Sequence, residues 1–314
     1  MNFRDDLLLD RTALLAQGAT DHDIAAALTH GHLVTLRRGV YANGPAYREL
    51  DRDDQQRLLI RAEVVICGDD AVVSHQSAAL MHGLGLLHRT DTVHVSCSRT
   101  SGGHVSRTRH LHASGLEAVD TCYVGGLVCT SPARTVADLA RALPFEDAVC
   151  VGDSALRLSV TTTDAIADAA RRTSSRRGLP AAVRAVDFMD GRCESVGESR
   201  SRVYFHHYGI RPPELQVTLL LDDRLTRFRP DFLWDDERVL GEFDGLVKYT
   251  DGVGATASDI VVREKIREDL LREHGWTVVR WTWRDLASRR LADTLTRVLA
   301  ERGAGRPRTV RIAG

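Results

Sequence analysis

Lysine is nearly absent from this 314-residue chain: Lys248 and Lys265 stand alone among 42 basic residues, and the other forty are arginine. A guanidinium is permanently charged, whereas an amine can lose its proton when buried, so the two retained lysines are candidates for chemistry that arginine cannot perform. Long apolar runs are missing too. No stretch approaches the ~18 apolar residues of a membrane span, which excludes that class. The N-terminal MNFRDDLLLDRTALL mixes acids with its leucines and has no small-residue cleavage site. A secretory signal is therefore not expected, and the protein is assigned to the cytoplasm. The six cysteines (Cys67, Cys97, Cys122, Cys129, Cys150, Cys193) form no CxxC pair and no Cys/His zinc spacing, and read as reduced structural thiols. GxSxG, P-loop and dinucleotide fingerprints do not occur, so kinase, hydrolase and dehydrogenase readings of those kinds have no support. A net charge of −1 leaves no global field to attract a polyanion, and any nucleic-acid contact must come from local basic patches.

What is present reads as a mixed α+β protein of several domains, since single cores stop growing above about 200 residues. Residues 1–48 read as a small winged helix-turn-helix. Leu7, Leu8, Leu14 and Leu15 suit an amphipathic first helix ended by Gly18, and Thr20 caps a second over DHDIAAAL with Asp23 at the capping-box position. HLVTLRRGVYANG then alternates as a strand pair whose tight point, Arg37, Arg38 and Gly39, forms the wing. Residues 49–190 form a mostly helical middle region: a helix over Gln55 to Cys67, a helix over SHQSAALMHGL, the strands TVHVSCS and VSRTRHLHA, and a helical run that Ser131 and Pro132 open and that lasts to about Met189. TSSRRGLP is the best linker candidate. The flanking Arg171, Arg172, Arg176 and Arg177 read as a solvated helix end. His75 and His82 fall seven apart on one helix face without a further ligand at metal spacing, and are read as packing or capping groups.

Residues 191–301 read as an α/β domain, followed by a basic, glycine-rich tail over 302–314 that is expected to be flexible. Its helix over ESVGESRSRVYFHHYG precedes the strands LQVTLLL, RFRPDFLW and RVLGEFDG, a helix VVREKIREDLLREHG, a strand WTVVRWTW and a terminal helix from Asp285. Strand side chains alternate faces, so Arg229, Asp231 and Leu233 share one face, and Phe228, Phe232 and Trp234 the other. Leu240, Glu242 and Asp244 likewise stand together. The four-residue connection 235–238 suits a hairpin that pairs Trp234 with Val239, and hence Asp231 with Glu242. Three carboxylates on a few ångströms of sheet repel one another unless a cation intervenes, and oxygen-only ligands favour Mg²⁺, with Mn²⁺ as substitute.

Two resemblances sharpen this reading. Arg229-Pro230-Asp231, then ten residues, then Glu242-Phe243-Asp244-Gly245 resembles the PD-(D/E)xK nuclease pattern, in particular the branch similar to very-short-patch-repair endonucleases. GWTVVRWTWRDL after a charged helix is similar to that branch's closing strand and helix. The resemblance implies a restriction-endonuclease-like domain in which Asp231 and Glu242 bind the metal, with Asp244 where the pattern has lysine. Lys248 or Lys265 would then supply the missing charge, and Glu198 matches the place from which this fold often adds a further acid; Arg202, one turn later, offers Glu198 a salt bridge instead. In the first 145 residues, TDHDIAAALTHGHLVTLRRGVYA, SHQSAALMHGL, VHVSCS and GGLVCTSPARTVADLA resemble the AbiEi-type antitoxins. That resemblance implies promoter DNA as partner, Arg37 and Arg38 on phosphates, a helix around His30 to Val34 near the groove, and a cognate toxin or defence-system protein. The functions expected are a Mg²⁺-dependent DNA endonuclease of a defence or toxin–antitoxin context or, alternatively, an antitoxin-like autoregulator whose nuclease-type domain no longer cleaves. Oligomers are compatible with both.

Overall fold

Local capping chemistry starts most of the helices. Asp10 accepts from the backbone of Thr12 and Ala13, Thr20 and Asp23 close a reciprocal capping box, and Asn43, Asp51, Ser131, Thr162 and Ser195 each hold one amide of the turn they open. The computed structural model describes residues 7–68, 70–97, 103–173, 176–220, 227–245, 265 and 267–303. The architecture is mixed α+β, in two compact units that meet in sequence between Met189 and Asp190. None of the helices, among the described residues, is long and apolar enough to cross a membrane.

The first unit begins with β1 (Leu8–Asp10), α1 (Arg11–Ala16), α2 (Asp21–Thr29), β2 (Leu33–Arg37), β3 (Val40–Asn43) and α3 (Gly44–Glu49), with a three-stranded antiparallel sheet in the order β1-β3-β2. Two local expectations fail here. Leu8 and Leu9 are strand rather than helix, because β3 offers them a partner and the Asp10 cap makes the helix start at Arg11. His30 caps α2, so the stretch to Val34 is not helical: Leu33 and Val34 pair with Asn43 and Ala42. The strand bond satisfies both backbones, and β-branched Val34 fits it well.

There follow α4 (Arg52–Cys67), β4 (Val72–Val73), α5 (His75–Met81), β5 (Val93–Cys97), β6 (His104–Val105), β7 (Arg109–Ala113), β8 (Thr121–Val124) and β9 (Leu127–Thr130), then helices α6 (Pro132–Ala142), α7 (Phe145–Arg157), α8 (Thr163–Arg172) and α9 (Leu179–Phe188). The six strands make one sheet in the order β6-β7-β5-β4-β9-β8. Ile60, Val73, Met81, Val93, Val95 and Cys129 form its buried core, and a second core fills the space among α6, α7, α8 and α9. The candidate linker TSSRRGLP is no domain boundary. Arg141 donates to the carbonyl of Arg177 at 2.6 Å, and Gly178, at φ +77°, lies so close to the Arg141 carbonyl that a Cβ there would stand 2.3 Å from it. The turn is packed onto α6, and the two arginines that end α8 ahead of it are paired, Arg171 with Asp168 and Arg172 with Asp120.

A buried arginine joins this helical layer to the sheet side. Arg134 is 1 % exposed; its Nε donates to Asp138 at 2.9 Å, Nη1 to Asp120 at 2.8 Å and Nη2 to Ser114 Oγ at 2.6 Å.

The second unit contains α10 (Val196–His207), β10 (Glu214–Leu215), β11 (Leu219–Leu220), β12 (Arg227–Phe228), β13 (Phe232–Trp234), β14 (Val239–Phe243), a helical stretch over 267–273, β15 (Thr277–Trp281) and α11 (Arg290–Gly303). Its main sheet runs β10-β13-β14-β15, antiparallel except for the parallel pair β14-β15, and β11 and β12 form a separate ribbon. The expected strands LQVTLLL and RFRPDFLW are each broken in two. Gln216 at φ +56° interrupts the first and Pro230, which has no N–H to donate, the second. The break turns Phe228 away from Phe232 and Trp234, so that it packs with Leu233, Leu240, Leu271 and Trp276. Phe232, Trp234, Val239 and Trp281 pack instead with Phe205 of α10 and Leu295 of α11. Residues 285–287 form one 3₁₀ turn ahead of α11, and 304–314, most of the expected tail, lie outside the described residues.

Replacing Arg134 with methionine keeps the volume but takes this guanidinium from buried Asp138 and leaves Asp120 to Arg172, and is expected to lower the stability of the first unit by about 3–5 kcal/mol. All four tryptophans, 234, 276, 281 and 283, belong to the second unit. Urea unfolding should therefore show an earlier transition by circular dichroism than wild type, while the tryptophan fluorescence transition stays in place.

Candidate functional site

The acidic hairpin has the register that its four-residue connection predicts. Trp234 pairs with Val239, Leu233 with Leu240 and Phe232 with Gly241. Arg238, at φ +53°, closes the turn with its N–H on the carbonyl of Asp235. Neither strand face is wet here: Leu233 and Leu240 are as enclosed as Trp234 and Val239. Apart from the connecting turn 235–238, polar side chains are thus confined to the end of the hairpin where Asp231 precedes β13 and Glu242 closes on the last residues of β14.

Asp231 is half-buried, and its Oδ2 accepts from the backbone N–H of Phe243 at 2.8 Å. Its Oδ1 lies 3.4 Å from the side-chain nitrogen of Gln216, which also donates to Glu198 Oε2 at 2.9 Å. The backbone of Gln216 is bonded to the Asp231 carbonyl and held at φ +56°, a conformation that a non-glycine residue keeps only when its surroundings impose it. Glu198, on the first turn of α10, is buried, and it accepts from Ser195 Oγ at 2.7 Å and from the N–H of Glu194 at 2.8 Å. An amide therefore spans two carboxylates. Burial, then the negative charges of Glu198 and Glu242, push the Asp231 carboxyl up to about 6, against the opposing pull of the Phe243 N–H.

The remaining predicted residues do not join this pair. Glu242 is opposite Arg280 in the β14-β15 pairing; it accepts from Arg280 Nε at 2.8 Å and from Arg267 at 3.3 Å. Asp244 is exposed past the end of β14, its N–H on the carbonyl of Trp281. Lys265 is exposed on its helix, and Lys248 lies outside the described residues. Among the described residues, no three carboxylates each bring an oxygen within 4.8 Å of the others. The expected trio Asp231, Glu242 and Asp244 is thus drawn apart, because two arginines hold Glu242 and the strand ends before Asp244. Gln216 had no signal in the sequence; only the folded chain brings it between the acids.

In the first unit, Arg37 is turned inward. Its guanidinium pairs with buried Glu63, which Arg109 also contacts at 3.0 Å, and it donates to the carbonyl of Leu36 at 2.8 Å. Arg38, one residue on, is exposed at the tip of the β2-β3 hairpin.

A second constellation is made of imidazoles. His94 of β5 and His110 and His112 of β7 alternate onto one face, with His94 directly beside His110 in the parallel pairing. His75, the first residue of α5 and at φ +51°, stacks on His112 with ring centroids 3.7 Å apart, and His110 stacks on the other side at 3.8 Å. His94 Nδ1 and His112 Nε2 are 3.0 Å apart. Burial is the first cause of lowered proton affinity in each: His94 falls to about 4, His112 to about 3, and His75 goes well below the usual imidazole range. His82, by contrast, is a packing group whose Nε2 meets the carbonyl of Thr130 at 2.8 Å. The alternating histidines of VHVSC and RHLHA were visible signals, but that β5 and β7 lie side by side is decided by the sheet.

No family model matches the chain. Two curated proteins of Mycobacterium tuberculosis, the uncharacterized proteins MT2308 and Rv2248, are each 33% identical to it over 156 residues, 50% of this chain and 55% of theirs. The chain spans about half the length of these curated relatives. The crystal structure of RV2827C protein from Mycobacterium tuberculosis is similar at TM-score 0.43 and 13% identity, over 71% of this chain and 87% of that one.

The raised Asp231 carboxyl has a consequence for stability. The unfolded chain releases this proton near pH 3.8 and the folded chain near 6, so the folded state loses stability as pH rises between those values and no further above them. At about 1.4 kcal/mol per unit, the full loss is roughly 3 kcal/mol. Asp231→Asn, which retains an oxygen for the Phe243 N–H, should stabilise the second unit by up to that amount at pH 7.5 and by nothing at pH 3.5. Tryptophan-detected unfolding at both pH values tests this.

Proposed function

We propose that this is a DNA-associated protein whose second unit hydrolyses phosphodiesters in a divalent-metal-dependent, nuclease-type reaction, with the N-terminal region, as a winged helix-turn-helix, bringing it to duplex DNA. The observation that carries the reading is the Asp231 carboxylate. It is half-buried, held up to about 6 beside Glu198 and Glu242, and oriented by an amide that bridges it to Glu198. A carboxylate so burdened by neighbouring negative charge is relieved by a cation, and carboxylate ligands suit Mg²⁺ or Mn²⁺.

Asp231 and Glu198 fit such an ion. Glu242 fits once it leaves Arg280 and Arg267. When bound, the ion would polarise a phosphoryl oxygen and favour the hydroxide form of an attacking water. The protein's own groups do the rest. Gln216 fixes the orientation of both buried carboxylates, and Arg267 and Arg280 offer positive charge to the phosphate that Glu242 would exchange for metal. An arginine does not give up its proton, so water deprotonation falls to a carboxylate or to Lys248 or Lys265. The lock on Glu242, together with Asp244 in the lysine's place, favours a second reading: an antitoxin-like autoregulator that contacts DNA and a cognate toxin without cleaving.

The two readings separate in one set of measurements. Incubating the purified chain with duplex and single-stranded DNA in Mg²⁺ or Mn²⁺ is expected to give cleavage that Asp231→Ala abolishes. Absence of cleavage by wild type on every substrate and metal sinks the enzyme, and a promoter footprint that then survives Asp231→Ala supports the regulator. In either case Arg38→Ala should weaken DNA binding and lower the log–log salt slope by about 1. Arg37→Ala, which leaves Glu63 without that partner, should act mainly on stability.

A further inference from the structure

We infer that the first unit carries a second, separate metal site: His75, His94 and His112 form an open three-histidine site for Zn²⁺ or a chemically similar late divalent metal, with water as the fourth ligand. This goes beyond the proposed hydrolase, lies in the other unit and does not depend on it. Among the described residues, these three side chains form the group whose ligand nitrogens all lie within 4.8 Å of one another. His94 Nδ1 and His112 Nε2 share a hydrogen bond at 3.0 Å, and a small outward shift brings them to the separation of about 3.3 Å that two nitrogens on one tetrahedral ion require at ordinary Zn–N distances.

Three further features suit a ligand set better than a packed core. Imidazole is a borderline donor that selects zinc-like ions over Mg²⁺ or Ca²⁺. Ligating histidines carry an outer hydrogen bond that fixes the tautomer, and His75 Nδ1 lies 3.1 Å from Ser74 Oγ, itself bonded by Ser96 Oγ at 2.8 Å, leaving Nε2 for metal. Finally, His75 is held at φ +51° on the first residue of α5, a strained backbone at the point from which its ring is presented.

The present stack of His75, His112 and His110 is not itself a coordination geometry. Metal entry requires the rings to turn about χ2, a broad and soft torsion for histidine. His110, on the far side of His112, is a wall of the site rather than a ligand. Three nitrogens and an open position are the donor set that elsewhere activates water, and here the ion would also pin the start of α5 to β5 and β7.

The test uses the full chain, stripped with a chelator and titrated with Zn²⁺, and with Co²⁺ as a spectroscopic probe. Expected are one ion per chain, visible absorption of tetrahedral Co²⁺, X-ray absorption showing three imidazole nitrogens, and a raised melting temperature for the first unit. His94→Asn and His112→Gln should each weaken binding at least tenfold, and His110→Gln should leave it within threefold. The absorption measurement needs no variant, so a misfolded substitution does not decide the matter. No binding by wild type tighter than about millimolar, a ligand shell without three imidazoles, or unchanged affinity in both His94→Asn and His112→Gln would overturn the site.

Discussion

Val239, Leu240 and Gly241 of β14 are enclosed on both faces of their sheet, between the aromatic cluster of Phe205, Trp234 and Trp281 and the smaller one of Phe228, Leu271 and Trp276. A strand covered in this way has no wet face for charged side chains, so its polar residues collect at its end. The fit is close. A Cβ on Gly241 would stand 2.5 Å from the Trp281 ring, and one on Gly197 would overlap Phe243. Glycine at these two points lets β14 lie against Trp281 and brings α10, with Glu198 on its first turn, up to the strand end.

Electrostatics then separates the acids that sequence spacing groups together. Glu242 faces the arginine of the neighbouring strand and pairs with it, whereas Asp231 and Glu198 share the side-chain amide of Gln216. With lysine so scarce, arginine takes nearly every ion pair found among the described residues, including the buried hub at Arg134 and the inward pair of Arg37 with Glu63. Those pairs hold elements together, and they remove from solvent some of the charge that a sequence reading assigns to DNA.

The first unit follows a related logic with histidine. Val93 and Val95 turn one face of β5 into the core, so His94 and Ser96 must occupy the other, and the parallel neighbour β7 does the same with His110 and His112. His75 arrives from a separate element, carried by the turn that starts α5. Aligning imidazoles from three elements makes a chemical site that no spacing rule along the chain describes.

By itself the sequence determined the short-range features: the caps at Thr20 and Ser131, the register of the β13-β14 hairpin from its four-residue connection, and the helical run from Pro132. These are set by backbone hydrogen bonds and side-chain periods that act over a few residues. Tertiary structure decided which strands lie side by side, which face of each is covered, and which opposite charge reaches a carboxylate first. It therefore decided that Glu198 and Gln216, rather than Asp244, stand beside Asp231, and that histidines from three separate elements cluster together. The physical reason is that burial and charge pairing depend on distances in space, to which separation along the chain is no guide.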